Sequence, residues 1–227
     1  MYYWNKPMET IGREDLERIQ LERLQRTVLR MYTNVPFYRE RMQQQGVKPE
    51  DVQSLADLRL LPFMDKRDLR DNYPFGTFAA PRQEIVRIHA SSGTTGKTIV
   101  AGYTANDLQM WAECVARGLG CAGVTKKDTV QVAYGYGLFT GALGLHQGLS
   151  KIGAAVIPIS SGNTERQINL MADFGTTLLV ATPSYALYMA EVAERMGMMD
   201  KIKLRTGLFG AEGSTEEMRR ELERRWH

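Results

Sequence analysis

Between residues 129 and 217 the sequence alternates short runs rich in Val, Ile and Leu with longer amphipathic stretches, and this alternation constrains the fold most. The runs 129–133, 154–159, 176–181 and 204–209 are short and β-favouring. The stretches between them, from about 139 to 152, 164 to 174 and onward from Pro183, have helical spacing. Ser214-Thr215-Glu216-Glu217 reads as a further helix start. Parallel strands cannot be joined by tight turns; they need crossovers of about a dozen residues or more, usually helices. The chain is therefore expected to be α/β, a mostly parallel sheet with helices on both faces.

The N-terminal part reads differently. From Arg13 to about Tyr32, Leu16, Ile19, Leu24, Val28 and Met31 recur at helical spacing among Glu and Arg, until Asn34-Val35-Pro36 breaks the pattern. A second helix over about 37–45 ends at Gly46, 54–61 is a short helix or turn, and Asp65 can cap a turn over 66–70. The spacing predicts a helical segment over 1–83 and an α/β part over 84–227. Within the latter, Thr104-Ala105-Asn106-Asp107 looks like a capping box opening a helix with Leu108, Trp111, Val115 and Leu119 on one face.

Charge and cysteine content exclude several classes. Among 227 residues the net charge is only +3, so neither a nucleic-acid nor a membrane surface is implied. No apolar run approaches the roughly 20 residues of a membrane span, and the start lacks the pattern of a secretory signal, so a cytoplasmic protein is expected. Cys114 and Cys121 read as reduced thiols on one helix, and no His or Cys cluster completes a metal-ligand set.

Ligands of parallel sheets bind at the carboxyl ends of the strands. That rule selects Tyr134-Gly135-Tyr136-Gly137-Leu138-Phe139 after the first run, Ser160-Ser161-Gly162 after the second and Gly210-Ala211-Glu212-Gly213 after the fourth. Rings alternating with glycine can lay flat faces on a ligand while backbone approaches it; the same residues also suit a tight turn with exposed tyrosines. A further loop, Ser91-Ser92-Gly93-Thr94-Thr95-Gly96-Lys97-Thr98, combines glycines, hydroxyls and one Lys, a composition suited to phosphate and equally to a solvated turn. It half-fits a nucleotide-binding P-loop. However, 84–89 and 99–103 both read as strands, so the loop is expected to join two strands as a mobile flap instead of opening a helix.

Four ordered motifs together resemble the phenylacetate-CoA ligase family of adenylate-forming enzymes, N-terminal portion: Leu61-Pro62-Phe63 through Tyr73-Pro74-Phe75-Gly76, the loop 91–97, the stretch 133–141, and Phe209-Gly210-Ala211-Glu212. The resemblance implies an acid–thiol ligase in which the acid carboxylate attacks the α-phosphorus of ATP and coenzyme A then displaces AMP. It assigns Ser91, Ser92, Gly93, Thr94, Thr95, Gly96 and Lys97 to the ATP phosphates, with Lys97 and Thr94 catalytic. Gly210, Ala211 and Glu212 border the adenosine, and Tyr134, Tyr136, Phe139, Gly141 and His146 line an aryl-acid pocket. A lone His such as His146 is also commonly structural. Mg²⁺ is implied, with its ligand, the coenzyme A contacts and a C-terminal adenylation Lys expected beyond residue 227, as in a fragment of a longer enzyme with a possible homodimer. Thr98 stands where the family usually has Pro, and Gly213-Ser214-Thr215 where it usually has Pro-Trp-Thr, which puts loop stiffness and acid preference in doubt. Rival readings are AMP transfer to another acceptor such as a deazaflavin coenzyme, a P-loop NTPase or kinase, and a non-catalytic interaction module.

Overall fold

A computed structural model describes residues 3–92 and 98–226. Packing divides the chain into two units, Asn5–Leu108 and Met1–Trp4 with Gln109–His227.

The first unit begins with α1 (Lys6–Glu9), α2 (Arg13–Asn34) and α3 (Pro36–Gln44). Pro36, lacking an N–H, opens α3 at its first turn, where no helical bond is lost. Val28 from α2, Tyr38 and Met42 from α3, and Val35 and Val52 form the core. The segment 54–61 settles as a 3₁₀ turn over Leu55–Leu60, and Asp65 caps α4 (Lys66–Asp71) through the N–H groups of Arg67 and Asp68. Arg41 fixes α4 to α3 by a two-pronged bridge to Asp68, 2.8 and 2.5 Å. β1 (Ile85–Ala90) and β2 (Val100–Thr104) pair antiparallel, and Gly102 is required because any Cβ there would enter the Phe78 ring.

The division falls within α5 (Ala105–Cys121), which starts at the expected capping box. The Thr104 N–H donates to Asp107 Oδ2 at 2.8 Å, and the Asp107 N–H returns to Thr104 Oγ1 at 3.2 Å. Cys114 and Cys121 are free and exposed.

The second unit holds β3 (Thr129–Val132), α6 (Gly141–Ile152), β4 (Ala155–Ile157), α7 (Thr164–Asp173), β5 (Leu178–Ala181), α8 (Pro183–Arg195), β6 (Thr206–Phe209) and α9 (Glu216–Trp226). All four strands are parallel, in the order β4-β3-β5-β6. They are shorter than the sequence runs because the run ends leave the ladder to become turns. Thr215 caps α9, accepting from the Met218 N–H at 3.1 Å. Val130, Val132, Leu178 and Val180 pack with α5 and α6 on one face. Leu179 and Ala181 pack with α7, α8 and α9 on the other. Every residue of β5 is completely buried, which explains its unbroken Leu-Leu-Val-Ala run. Opposite the ligand end, Asp128 accepts from Thr125 N, Thr177 Oγ1 and Arg205 Nη2 at 2.7 to 2.8 Å. Burial alone would raise its pKa, yet these bonds and the Arg205 charge outweigh it and hold the carboxyl below its usual range.

The chain leaves β3 toward β4 through α6 and leaves β5 toward β6 through α8, in opposite directions. Right-handed crossovers then require opposite faces, as observed for these two helices. The reversal lies between β3 and β5, and the rule for such sheets makes the carboxyl ends of those central strands the candidate place for a ligand.

Candidate active site

Three donors converge on the end of β5. The Ala133 N–H reaches Val180 O at 2.8 Å, while the Tyr134 hydroxyl at 2.9 Å and the Gly210 N–H at 3.3 Å share Ala181 O. Burial raises the Tyr134 pKa, keeping the hydroxyl a neutral donor. The Tyr134 hydroxyl is thus committed to the protein.

Tyr136 and His146 pair beyond it. The Tyr136 hydroxyl lies 3.1 Å from His146 Nδ1, and the rings meet edge to face at 5.9 Å and 86°. Burial pushes the tyrosine pKa up to about 12. Phe139, at 60% exposure, and Leu138, at 62%, instead stand open to solvent. Gly141 begins α6, whose N-cap Thr140 makes no side-chain capping bond. Gly144 and Gly148 let α6 approach α5, since a Cβ at either would enter Trp111 or Val115.

Glu212 is held at the start of α8. Its Oε1 accepts from the Ser184 N–H at 2.6 Å, and Thr182 caps the Tyr185 N–H at 3.3 Å. Hydrogen bonds from Ser184, side chain first and backbone second, keep the Glu212 pKa below the usual carboxylate range. The carboxylate therefore occupies the helix's own anion seat. Ala211, between it and Gly210, takes a left-handed φ of 69°.

Ser91 and Ser92 are exposed, and Ser91 closes the β1–β2 hairpin. Its N–H donates to Ile99 O at 2.9 Å and its Oγ accepts from the Ile99 N–H at 2.9 Å, while the Thr98 hydroxyl bonds the Ser91 carbonyl. Thr98 thus ties the loop base by side-chain bonding. Strand β2 follows Ile99, so the loop joins two strands and opens no helix. Gly93, Thr94, Thr95, Gly96 and Lys97 lie outside the described residues.

The residue choices above missed a polar network behind the 160–163 turn, formed by Gln131, Gln167, Thr164 and Tyr185. The signal was present: Gln131 interrupts a Val-Gln-Val strand, and Gln167 takes an apolar position beside Ile168 and Met171. Among the described residues there is no group of three or more His, Cys, Asp or Glu that could hold a metal ion. No helix among them is long and apolar enough to cross a membrane.

No family model matches the sequence. Curated relatives do. The chain is 51% identical over 220 residues to a phenylacetate-coenzyme A ligase from Pseudomonas putida, covering 96% of this chain and 50% of that protein. It is 52% identical over 221 residues to the Escherichia coli (strain K12) phenylacetate-coenzyme A ligase, covering 96% and 51%. A crystal structure of 2-hydroxyisobutyryl-CoA ligase with 2-HIB-AMP and CoA superposes with a TM-score of 0.92 at 28% identity, over 99% of this chain and 50% of that one. The chain spans about half the length of the relatives it matches. Fold and loops define the N-terminal portion of an adenylate-forming CoA ligase. Within that class the sequence is similar to phenylacetate-CoA ligases, at about half identity over about half of their length.

Proposed function

We propose that the protein containing this chain activates an aryl acid, phenylacetate first, and transfers it to coenzyme A. The carboxylate oxygen bonds to the α-phosphorus of ATP as the bond to the pyrophosphate oxygen breaks. The coenzyme A sulfur, having lost its proton, then bonds to the acyl carbon and AMP leaves. Neither step needs a protein nucleophile. The work for this chain is positioning and charge stabilisation. On this reading 84–227 is the nucleotide- and acyl-binding part and 1–83 a helical lead. Ser91, Ser92, Gly93, Thr94, Thr95, Gly96 and Lys97 meet the phosphates. Gly210, Ala211 and Glu212 border the adenosine, with Glu212 keeping the turn in place through Ser184. Tyr134, Tyr136, Phe139, Gly141 and His146 surround the acid. Mg²⁺, where bound, would neutralise phosphate charge through ligands outside the described residues. A cytoplasmic location would supply both ATP and coenzyme A.

The observation that carries this reading is the aromatic loop at the β3/β5 reversal, in a chain about half identical to phenylacetate-CoA ligases. The test is a chimera of residues 1–227 with the C-terminal half of the Escherichia coli relative. Phenylacetate-dependent pyrophosphate release followed by acyl-CoA is expected. A folded, ATP-binding chimera that releases no pyrophosphate with any aryl acid would overturn it.

A further inference from the structure

The turn over 160–163 follows β4 and abuts the aromatic loop: a Cβ on Gly135 would stand 3.9 Å from Ser161 Oγ. Ser160, Gly162 and Asn163 all have positive φ, 66°, 91° and 47°. Residues with a Cβ resist that conformation, so it persists only where neighbours over-determine it.

Gln167 does so from α7. It is completely buried, and its Nε2 donates to Ser160 O at 3.0 Å and Gly162 O at 2.9 Å, with the Tyr185 hydroxyl at 3.1 Å. The Tyr185 hydroxyl lies in turn 3.1 Å from Thr164 Oγ1. Gln131, equally buried at the middle of β3, donates to Gln167 Oε1 at 3.2 Å. With Oε1 turned toward Gln131, the two Nε2 hydrogens face the turn. The central strand thereby sets the direction of the amide that holds a turn at the sheet's ligand end.

We propose that Gln167 is a positioning residue for acid recognition: it fixes the 160–163 turn as a wall behind the aromatic loop and so sets which acids fit. This rests on the acid-activation reading above. Gln167 acts through the turn.

Gln167→Met keeps the side-chain volume and removes the donors; Gln131→Met removes only the orienting partner. In residues 1–227, amide hydrogen exchange at 160–163 should quicken several-fold in both variants, more in the first, with β3 and β5 unchanged. In the chimera, KM for phenylacetate should rise from roughly tenfold toward the roughly 10²-fold that a 1 Å misplacement can cost, with KM for ATP unchanged and discrimination against shorter acids reduced. Unchanged exchange at 160–163, or equal shifts in both KM values, would overturn the proposal. Should Gln167→Met fail to fold, Tyr185→Phe, which removes one hydroxyl from the same network, carries the same comparison with smaller shifts. An unsubstituted chimera that folds and binds ATP yet activates no aryl acid sinks the proposed function, and the exchange measurement then decides the positioning role alone.

Discussion

Two rings three residues apart have different surroundings. Tyr136 is half-buried and paired with His146, whereas Phe139 is 60% exposed. Tyr136→Ala should therefore lower stability by about 1–3 kcal/mol, from lost burial and the ring pair. Phe139→Ala should leave the melting temperature unchanged and, in the chimera, cut the preference for phenylacetate over acetate by roughly 10-fold or more. Thermal denaturation and acid competition read the two effects; equal loss for both acids with Phe139→Ala would make that ring structural. The Tyr-Gly alternation marked this loop as a candidate ligand loop. It could not separate the two rings, because their difference comes from where α6 places His146, ten positions beyond Tyr136. Glu212 shows the same limit: the sequence marked the turn, but the Ser184 N–H that holds its carboxylate is 28 residues away.

Helices α5 and α6 meet through glycine. Gly144 and Gly148, four apart, lie on one face of α6, and a Cβ at either would enter Trp111 or Val115. Intrinsic helix propensity favours Gly144→Ala by about 1 kcal/mol. The packing argument has the opposite sign and is larger: overpacking a well-filled contact costs about 1–3 kcal/mol. Urea denaturation should therefore show a net loss for Gly144→Ala, and a gain would mean that the α5–α6 approach is loose. The elements themselves were readable because Val-rich runs and 3.6-residue spacing are local properties, as were the Thr104–Asp107 box and Pro183 at the start of α8. The partner across a glycine contact is not local, and neither is the strand order that sets the reversal between β3 and β5.

For the molecule as a whole, β6 pairs on one side with β5, and among the described residues no strand takes its other side. A cavity of about 620 Å³ runs along it, lined by Leu204, Phe209, Leu222 and Trp226 among others. An unpaired strand edge beside apolar side chains promotes association. Residues 1–227 alone should therefore sediment partly as dimers or larger species at micromolar concentration. They should also form no acyl-CoA, since they span only about half the length of the phenylacetate-CoA ligases they match and removing even one preorganised charge-stabilising donor costs about 10²–10³ in rate. A monomeric chain that makes phenylacetyl-CoA unaided would contradict both expectations.

The clamp on β5 has an evolutionary consequence. The strand is wholly buried, and its end is gripped by Ala133 N–H, Tyr134 hydroxyl and Gly210 N–H. Two of those grips are main-chain groups, which no side-chain replacement short of proline removes. The residues that follow, from Gly135 through Phe139 and from Ala211 onward, can therefore drift in identity while the platform beneath them stays put. If these loops meet the acid as proposed, new acid preferences would arise there by single substitutions, each inherited without first rebuilding the sheet.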